Sequence, residues 1–406
     1  MKKLLYFLLV LIICTSLIGC EESPIDIWDG TTAKEFEDGD GTKNSPFVIK
    51  TSSQFAYMAK CVNEGKYNDS YFVLEKDLDL KGIKWTPIGN RDNPFRGTFD
   101  GKEHTVSGLF VDKGYYYTET FHLDERTETQ ELAFAGMFGY CSSVDIHNLN
   151  IKDAKVNSKT AGKGNILSAG VLIGEIREER DSKEISNISN VKVSGSEIFI
   201  EYDESSDGMA ALGGIVGKSL FGSIKMECVQ SEIVIDTSKA GWINNNYVGG
   251  IMGWVGDTAL ECKNIANYST ILFSDNVTNN YAGAFGEIRS IDKAPLLENI
   301  FSKVVTTNRY IDISYASFKT NSIAGNLQYN GEPLEFKNLY GCVLPYDENS
   351  GFTEPRYELY SFFMASTYPE AVYTEINCKG CDELPDDHGL DSEIWDLSDK
   401  KHPVLK

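Results

Sequence analysis

Cys378-Lys-Gly-Cys381 is the one cysteine pair at metal or redox spacing. A zinc ion takes four ligands, so the pair would need two more, and His388 and His402 are the candidates downstream. That ligand count disfavours zinc, and a local disulfide is the expectation for Cys378 and Cys381 in an exported chain. The five histidines, His104, His122, His147, His388 and His402, do not pair at ligand spacing, and His104 sits in a turn motif that reads as structural. No His-Glu-x-x-His, Gly-x-Ser-x-Gly or phosphate-cradling loop occurs. Asp38–Asn44 resembles the start of a calcium loop, but its twelfth position is Ile49, where an acidic residue is required. Neither a metal site nor a cofactor is expected.

Carboxylates are abundant. Glycoside cleavage needs two of them facing one bond, and the loops 175–184 and 201–207 could supply them. The chain carries 60 acidic against 38 basic residues, net −22, so a solvated acidic loop is the ordinary reading. A lyase acting on acidic sugar would also want clustered Lys or Arg, and no stretch clusters them. The same balance repels phosphate backbones and argues against nucleic acid as a partner. Aromatic residues offer more. Tyr115, Tyr116 and Tyr117 lie with Phe121 in the segment 112–133, and Trp242 precedes Asn244-Asn-Asn246-Tyr247. Aromatic platforms beside amides suit sugar stacking or a protein partner. The alternative is a hairpin that packs its tyrosines on the body of the protein. Those six aromatics are the candidate ligand-binding residues, and no catalytic residue is assigned.

The first residues read as an address. Lys2-Lys3 is a basic start, and Leu4–Cys14 is an apolar run too short to span a bilayer. Leu17-Ile18-Gly19-Cys20 resembles the bacterial lipobox. The resemblance implies cleavage before Cys20, lipidation of Cys20 and a membrane anchor, since each buried CH₂ contributes about 0.8 kcal/mol. Glu21-Glu22 resembles the export tether of Bacteroidota surface lipoproteins. An outer-membrane lipoprotein, surface-exposed, is the expected location.

One helix is legible. Thr51 with Gln54 fits a capping box, Phe55, Met58, Ala59 and Val62 form one apolar stripe, and Gly65 ends it. Short β-like runs follow, and a repeat dominates. Ala135-Gly-Met-Phe-Gly139 recurs as Ala169–Gly174, Gly213–Gly217, Gly249–Gly253 and Ala282–Gly286, with a degenerate copy at Ile323–Leu327. The closing glycines are 35, 43, 36 and 33 residues apart. After each comes an alternating apolar run holding Asn or Cys, as at Asn148, Asn190, Asn264, Asn299 and Asn338. Such a unit cannot bury its face alone, but stacked coils can, and Asn at one register can form a side-chain ladder. An all-β parallel β-helix, a solenoid with a short N-terminal capping helix, is predicted. A β-sandwich or a propeller is the competing reading of regular short strands, and irregular spacing argues against the propeller. Cys228 and Cys262 read as small core residues. Asp257-Thr258-Ala259 resembles a short O-glycosylation motif.

The combination resembles the GLUG-motif proteins, right-handed β-helix lipoproteins of Bacteroidota whose units also occur in some bacterial IgA peptidases. The matching residues are Asp40–Ile49, Gln54–Ala59, Asp77–Leu80 before Trp85–Gly89, Phe95–Gly101, His104–Leu109, Gly136–Gly139, and the close at Ile394-Trp395 and His402–Lys406. The likeness covers 38 to 345 and the last fifteen residues. It departs at 112–133 and 346–385. On this reading the chain divides into a signal peptide (1–19), a lipidated tether (20–45), a cap with first coils (46–133), GLUG-like repeats (134–345) and a C-terminal segment (346–406). The resemblance implies a cell-surface adhesion or binding module for a glycan or host protein. A carbohydrate-active enzyme using a β-helix groove and a structural envelope component are the alternatives.

Overall fold

The computed structural model describes residues 25–406 apart from 124–125, 161–165, 203–207, 240–242, 274–276, 291–292, 307–316, 321–322, 330–333, 348–350, 353–362, 366–372, 377–378 and 381–382. The predicted helix, α1, spans Ser52–Asn63. Thr51 caps it with both bonds of the capping box formed. Its end is closed by Lys66 N–H donating to Cys61 O (2.8 Å) and Gly65 N–H to Val62 O (3.0 Å). Gly65 takes φ +79°, a left-handed turn that glycine adopts without a Cβ clash. Phe55, Met58, Ala59 and Val62 are all buried. Phe55 stacks on Trp85 at 4.7 Å and lies 5.8 Å from Phe99, so α1 packs on the first strands.

Everything else regular among the described residues is strand or short turn, in two large sheets and a small antiparallel pair, Trp395–Asp396 with Val404–Leu405. Within the repeats, each strand pairs in parallel with its equivalent in the next unit. Asp145–Lys152 pairs with the strand Ile185–Tyr202, which pairs with Ser223–Asp236, then Ala259–Leu272, Leu296–Thr306 and Leu334–Asp347. The register keeps one inward column through Phe72, Phe99, Ile146, Ile188, Met226, Cys262, Leu297 and Phe336, each at most 1% exposed. The second sheet stacks Phe138–Cys141, Ile173–Arg177, Val216–Leu220, the far half of Ile243–Gly256, the far half of Val277–Arg289, and Ala324–Gln328. These inward columns fill one continuous core.

The recurring glycines mark where the strands on either side of a bend approach backbone to backbone. A Cβ on Gly217 would sit 2.5 Å from Ala169 N and 2.6 Å from Gly174 O. Only hydrogen fits there, which is why Gly recurs.

The recurring asparagines form the ladder predicted from their register. Asn148, Asn190, Asn264, Asn299 and Asn338 all sit at φ between 51° and 56°. Asn190 Nδ2 donates to Asn148 Oδ1 (2.9 Å), Asn299 to Asn264 (3.0 Å) and Asn338 to Asn299 (2.7 Å). Asn148 donates to Asp100 Oδ1 (3.0 Å), which begins the row. Cys262 is a core residue, as expected. Cys228 is not: it holds the ladder position of its own coil, at φ 55° and half-buried. Asn264 Nδ2 reaches only its Sγ, at 4.0 Å.

Residues 384–405 strap the outer face of the first sheet. Trp395, Leu384, Leu390 and Leu405 cover Ala266, Phe301 and Tyr340. Lys192 Nζ donates to Leu405 O (2.7 Å), Leu405 N–H to Gln230 Oε1 (3.1 Å), and Tyr340 Oη to His388 O (2.7 Å). Tyr268 Oη donates to Pro403 O, and burial pushes its phenol up. His402 packs edge-on against Tyr268 at 3.9 Å. The motif close that the sequence singled out is therefore a clamp across successive strands of the first sheet.

Candidate functional site

An open pocket of about 1050 Å³ lies where three separated stretches meet. The turn around Asn90 brings Arg91, Pro94 and Arg96, with Asp69 beside them. The strand Phe138–Cys141 and the turn after it bring Tyr140, Ser142 and Ser143. The loop leaving Ile173–Arg177 brings Arg177, Glu178, Glu179, Arg180, Asp181, Ser182 and Glu184. Four of the chain's eight arginines thus face one cavity in a protein of net −22. The sequence expectation that Lys and Arg nowhere cluster is overturned, because strand stacking gathers arginines that stand at 91, 96, 177 and 180 along the chain.

Two of the lining acids, the exposed Asp69 and the buried Glu178, are already engaged. Arg96 forks onto Asp69, Nε donating at 2.8 Å and Nη2 at 3.3 Å, and that pairing raises the Arg96 pKa. Glu178 is buried and accepts from Ser142 Oγ (2.8 Å), Ser143 N–H (2.5 Å) and Ser143 Oγ (3.3 Å). Ser143 takes φ +51° to aim its N–H there. Gly222 is required nearby, since a Cβ would lie 2.9 Å from Glu178 Cβ. Burial, with Glu178 close by, pushes the Cys141 thiol well up, so it is no nucleophile at neutral pH.

The arginines are propped by rings. Arg91 lies 4.5 Å over the Tyr117 ring and Arg180 4.9 Å over Phe221. Arg177 approaches the buried Glu175 at 4.0 Å, while Lys218 takes the closer position at 3.4 Å. Lys218 also lies 5.1 Å over Trp254. Glu175, Lys218, Trp254 and Glu287 share one column on the bend side of the second sheet.

The sequence-predicted aromatics divide. Tyr115–Leu123 and Arg126–Ala135 form an antiparallel hairpin, so 112–133 is the insertion hairpin weighed above. Tyr117 is half-buried against Leu132, Phe134 and Tyr140 rather than standing as a free platform. It still reaches the pocket through Arg91. The side chains of Tyr115, Tyr116 and Phe121 lie outside the described residues, as do Trp242, Cys20, Cys378 and Cys381. Tyr247 is half-buried and stacks on Trp254 at 6.0 Å. Among the described residues no group of three or more His, Cys, Asp or Glu is placed to hold a metal. The five described cysteines, Cys61, Cys141, Cys228, Cys262 and Cys342, are all thiols. Thr258 of the glycosylation-like triplet is fully buried and donates to Phe221 O and Gly256 O, both at 3.0 Å. Its hydroxyl is closed to modification in the fold.

No family model matches the sequence. Over 84 residues the chain is 31% identical to a protein of Evansella cellulosilytica provisionally named a Gly-rich membrane protein. That match takes 19% of this chain and 9% of the relative, so the chain spans less than a tenth of the relative's length. A Bacteroides ovatus crystal structure, provisionally described as an immunoglobulin A1 protease, aligns over 91% of this chain and 95% of its own. The TM-score is 0.47 and the identity 17%. Among the described residues no helix is long and apolar enough to cross a membrane.

Proposed function

We propose that the chain is a lipid-anchored, non-catalytic binding module of the bacterial outer surface, carried on a right-handed parallel β-helix of the GLUG type. Unit-to-unit parallel pairing, the glycine bends and the asparagine ladder support the solenoid, and parallel crossovers in one sheet are almost always right-handed. The lipobox residues ending at Cys20 support the anchor. The observation that carries the binding function is the pocket at Arg91, Arg96, Arg177 and Arg180. It is concave, solvent-open, and alternates donors (Arg, Ser) with acceptors (Glu, Asp). That alternation matches a polyhydroxyl ligand, whose hydroxyls both donate and accept.

The test is an array of glycans and matrix proteins probed with the full chain, with reducing-end release assayed on each glycan hit. Saturable binding that weakens in R180Q is expected, since Arg180 is exposed and its replacement leaves the core intact. Release of product would overturn the non-catalytic reading, and silence across the array would overturn the binding reading.

A further inference from the structure

We infer that the pocket selects a sugar bearing a carboxylate, seated on the loop arginines Arg177 and Arg180. The inference rests on the binding reading above and goes further, to the class of ligand.

Three observations converge. First, the cations lining the pocket are all arginines, although only eight of the chain's 38 basic residues are arginine. Random placement on this surface would favour lysine. A guanidinium offers a planar fork that matches a carboxylate in two parallel hydrogen bonds, which an ammonium cannot do. Second, the nearest acids are mainly engaged by other groups: Glu175 takes Lys218 at 3.4 Å and leaves Arg177 at 4.0 Å. Asp69 is held by Arg96, and Glu178 is filled by Ser142 and Ser143. Third, the loop is fixed at its root. Glu178 N–H donates to Leu220 O at 3.0 Å, and the Glu178 side chain bonds back to the 142–143 turn. Arg177 and Arg180 therefore leave a backbone pinned between them, and Arg180 is supported on the Phe221 ring. Ordering costs are met before the ligand arrives.

The remaining acids set the limits of the ligand. Glu179, Asp181 and Glu184 lie on the exposed turn at the rim. They accept from sugar hydroxyls and repel a polyanion, as does the net charge of −22. A single carboxylate among hydroxyls fits both halves of this pattern. A sulfated or phosphorylated polymer does not.

The experiment is titration calorimetry on the full chain in detergent, with three probes: an acidic oligosaccharide ending in a hexuronate, the same oligosaccharide after reduction of its carboxyl to an alcohol, and a sulfated oligosaccharide. Each is run on the parent, R177K and R180K. The expected result is a loss of at least tenfold on carboxyl reduction, and a loss of at least tenfold for the acidic probe in R177K and R180K. The reduced probe should bind parent and variants alike, because lysine keeps the charge and loses the fork. Equal affinity for the acidic and reduced probes would overturn the carboxylate inference while leaving the binding module standing. So would tightest binding of the sulfated probe. Acidic preference unchanged in both variants would move the site elsewhere and overturn the assignment to these arginines. Binding of none of the probes, together with silence on the wider array, would sink the binding reading itself.

Discussion

The ladder interrupted at Cys228 gives the sharpest test of how the coils hold together. Asn190, Asn299 and Asn338 each donate to the asparagine one unit before, at 2.7 to 3.0 Å. At Cys228 the row is broken on both sides: Asn264 has only a thiol at 4.0 Å, and the Oδ1 of Asn190 faces a side chain with no amide. C228N would supply a donor to Asn190 and an acceptor to Asn264. Each such bond contributes about 1 kcal/mol net. The backbone there is left-handed, φ 55°, a conformation in which asparagine is enriched over other non-glycine residues. Cys228 is half-buried, so solvent competes and the total is placed at roughly 1–3 kcal/mol. For a chain of this size that corresponds to a Tm rise on the order of 1–3 °C. The assay is calorimetry of the parent, C228N, C228A and C228N/N264A. C228N should stand above the parent, C228A at or below it, and C228N/N264A should lose the gain. If C228A rises as much as C228N, the thiol was merely unfavourable and the ladder argument fails.

Two further outcomes are expected. G217A places a methyl 2.5 Å from Ala169 N and should cost on the order of 3 kcal/mol, read as a lowered urea midpoint, whereas an unchanged midpoint would show that the two backbones can separate. His147 Nδ1 lies 3.0 Å from Asp145 Oδ1, that bond raises its pKa, and Asp100 and Lys102 also face it. Its folded pKa is above the unfolded value, so its contribution is full below about pH 6.5 and is lost as pH rises through the folded pKa. H147A should therefore lower Tm more at pH 5.5 than at pH 8.5, and an equal loss at both would refute the ion pair.

Much of the fold was legible because the repeat forces it. Glycine at fixed spacing, asparagine at fixed register and inward alternation are local signals that each coil states again. Thr51, Gln54 and Gly65 announced α1 in the same way. Cys228 was misread because its burial was inferred from strand alternation, while the position is set by the left-handed corner that interrupts the strand. The burial of Thr258 was not legible, because a three-residue motif carries no information about exposure. The pocket was not legible at all. Its arginines stand at 91, 96, 177 and 180, and only the stacking of Phe138–Cys141 under Ile173–Arg177 brings the two pairs to one cavity.

By itself, then, the sequence determined the repeating unit and the caps of its helix, since each is written in neighbouring residues. The tertiary structure decided which charges meet, which aromatics stay half-buried and which hydroxyls are closed. Those outcomes depend on contacts between strands distant in sequence, and such contacts leave no local trace in the chain.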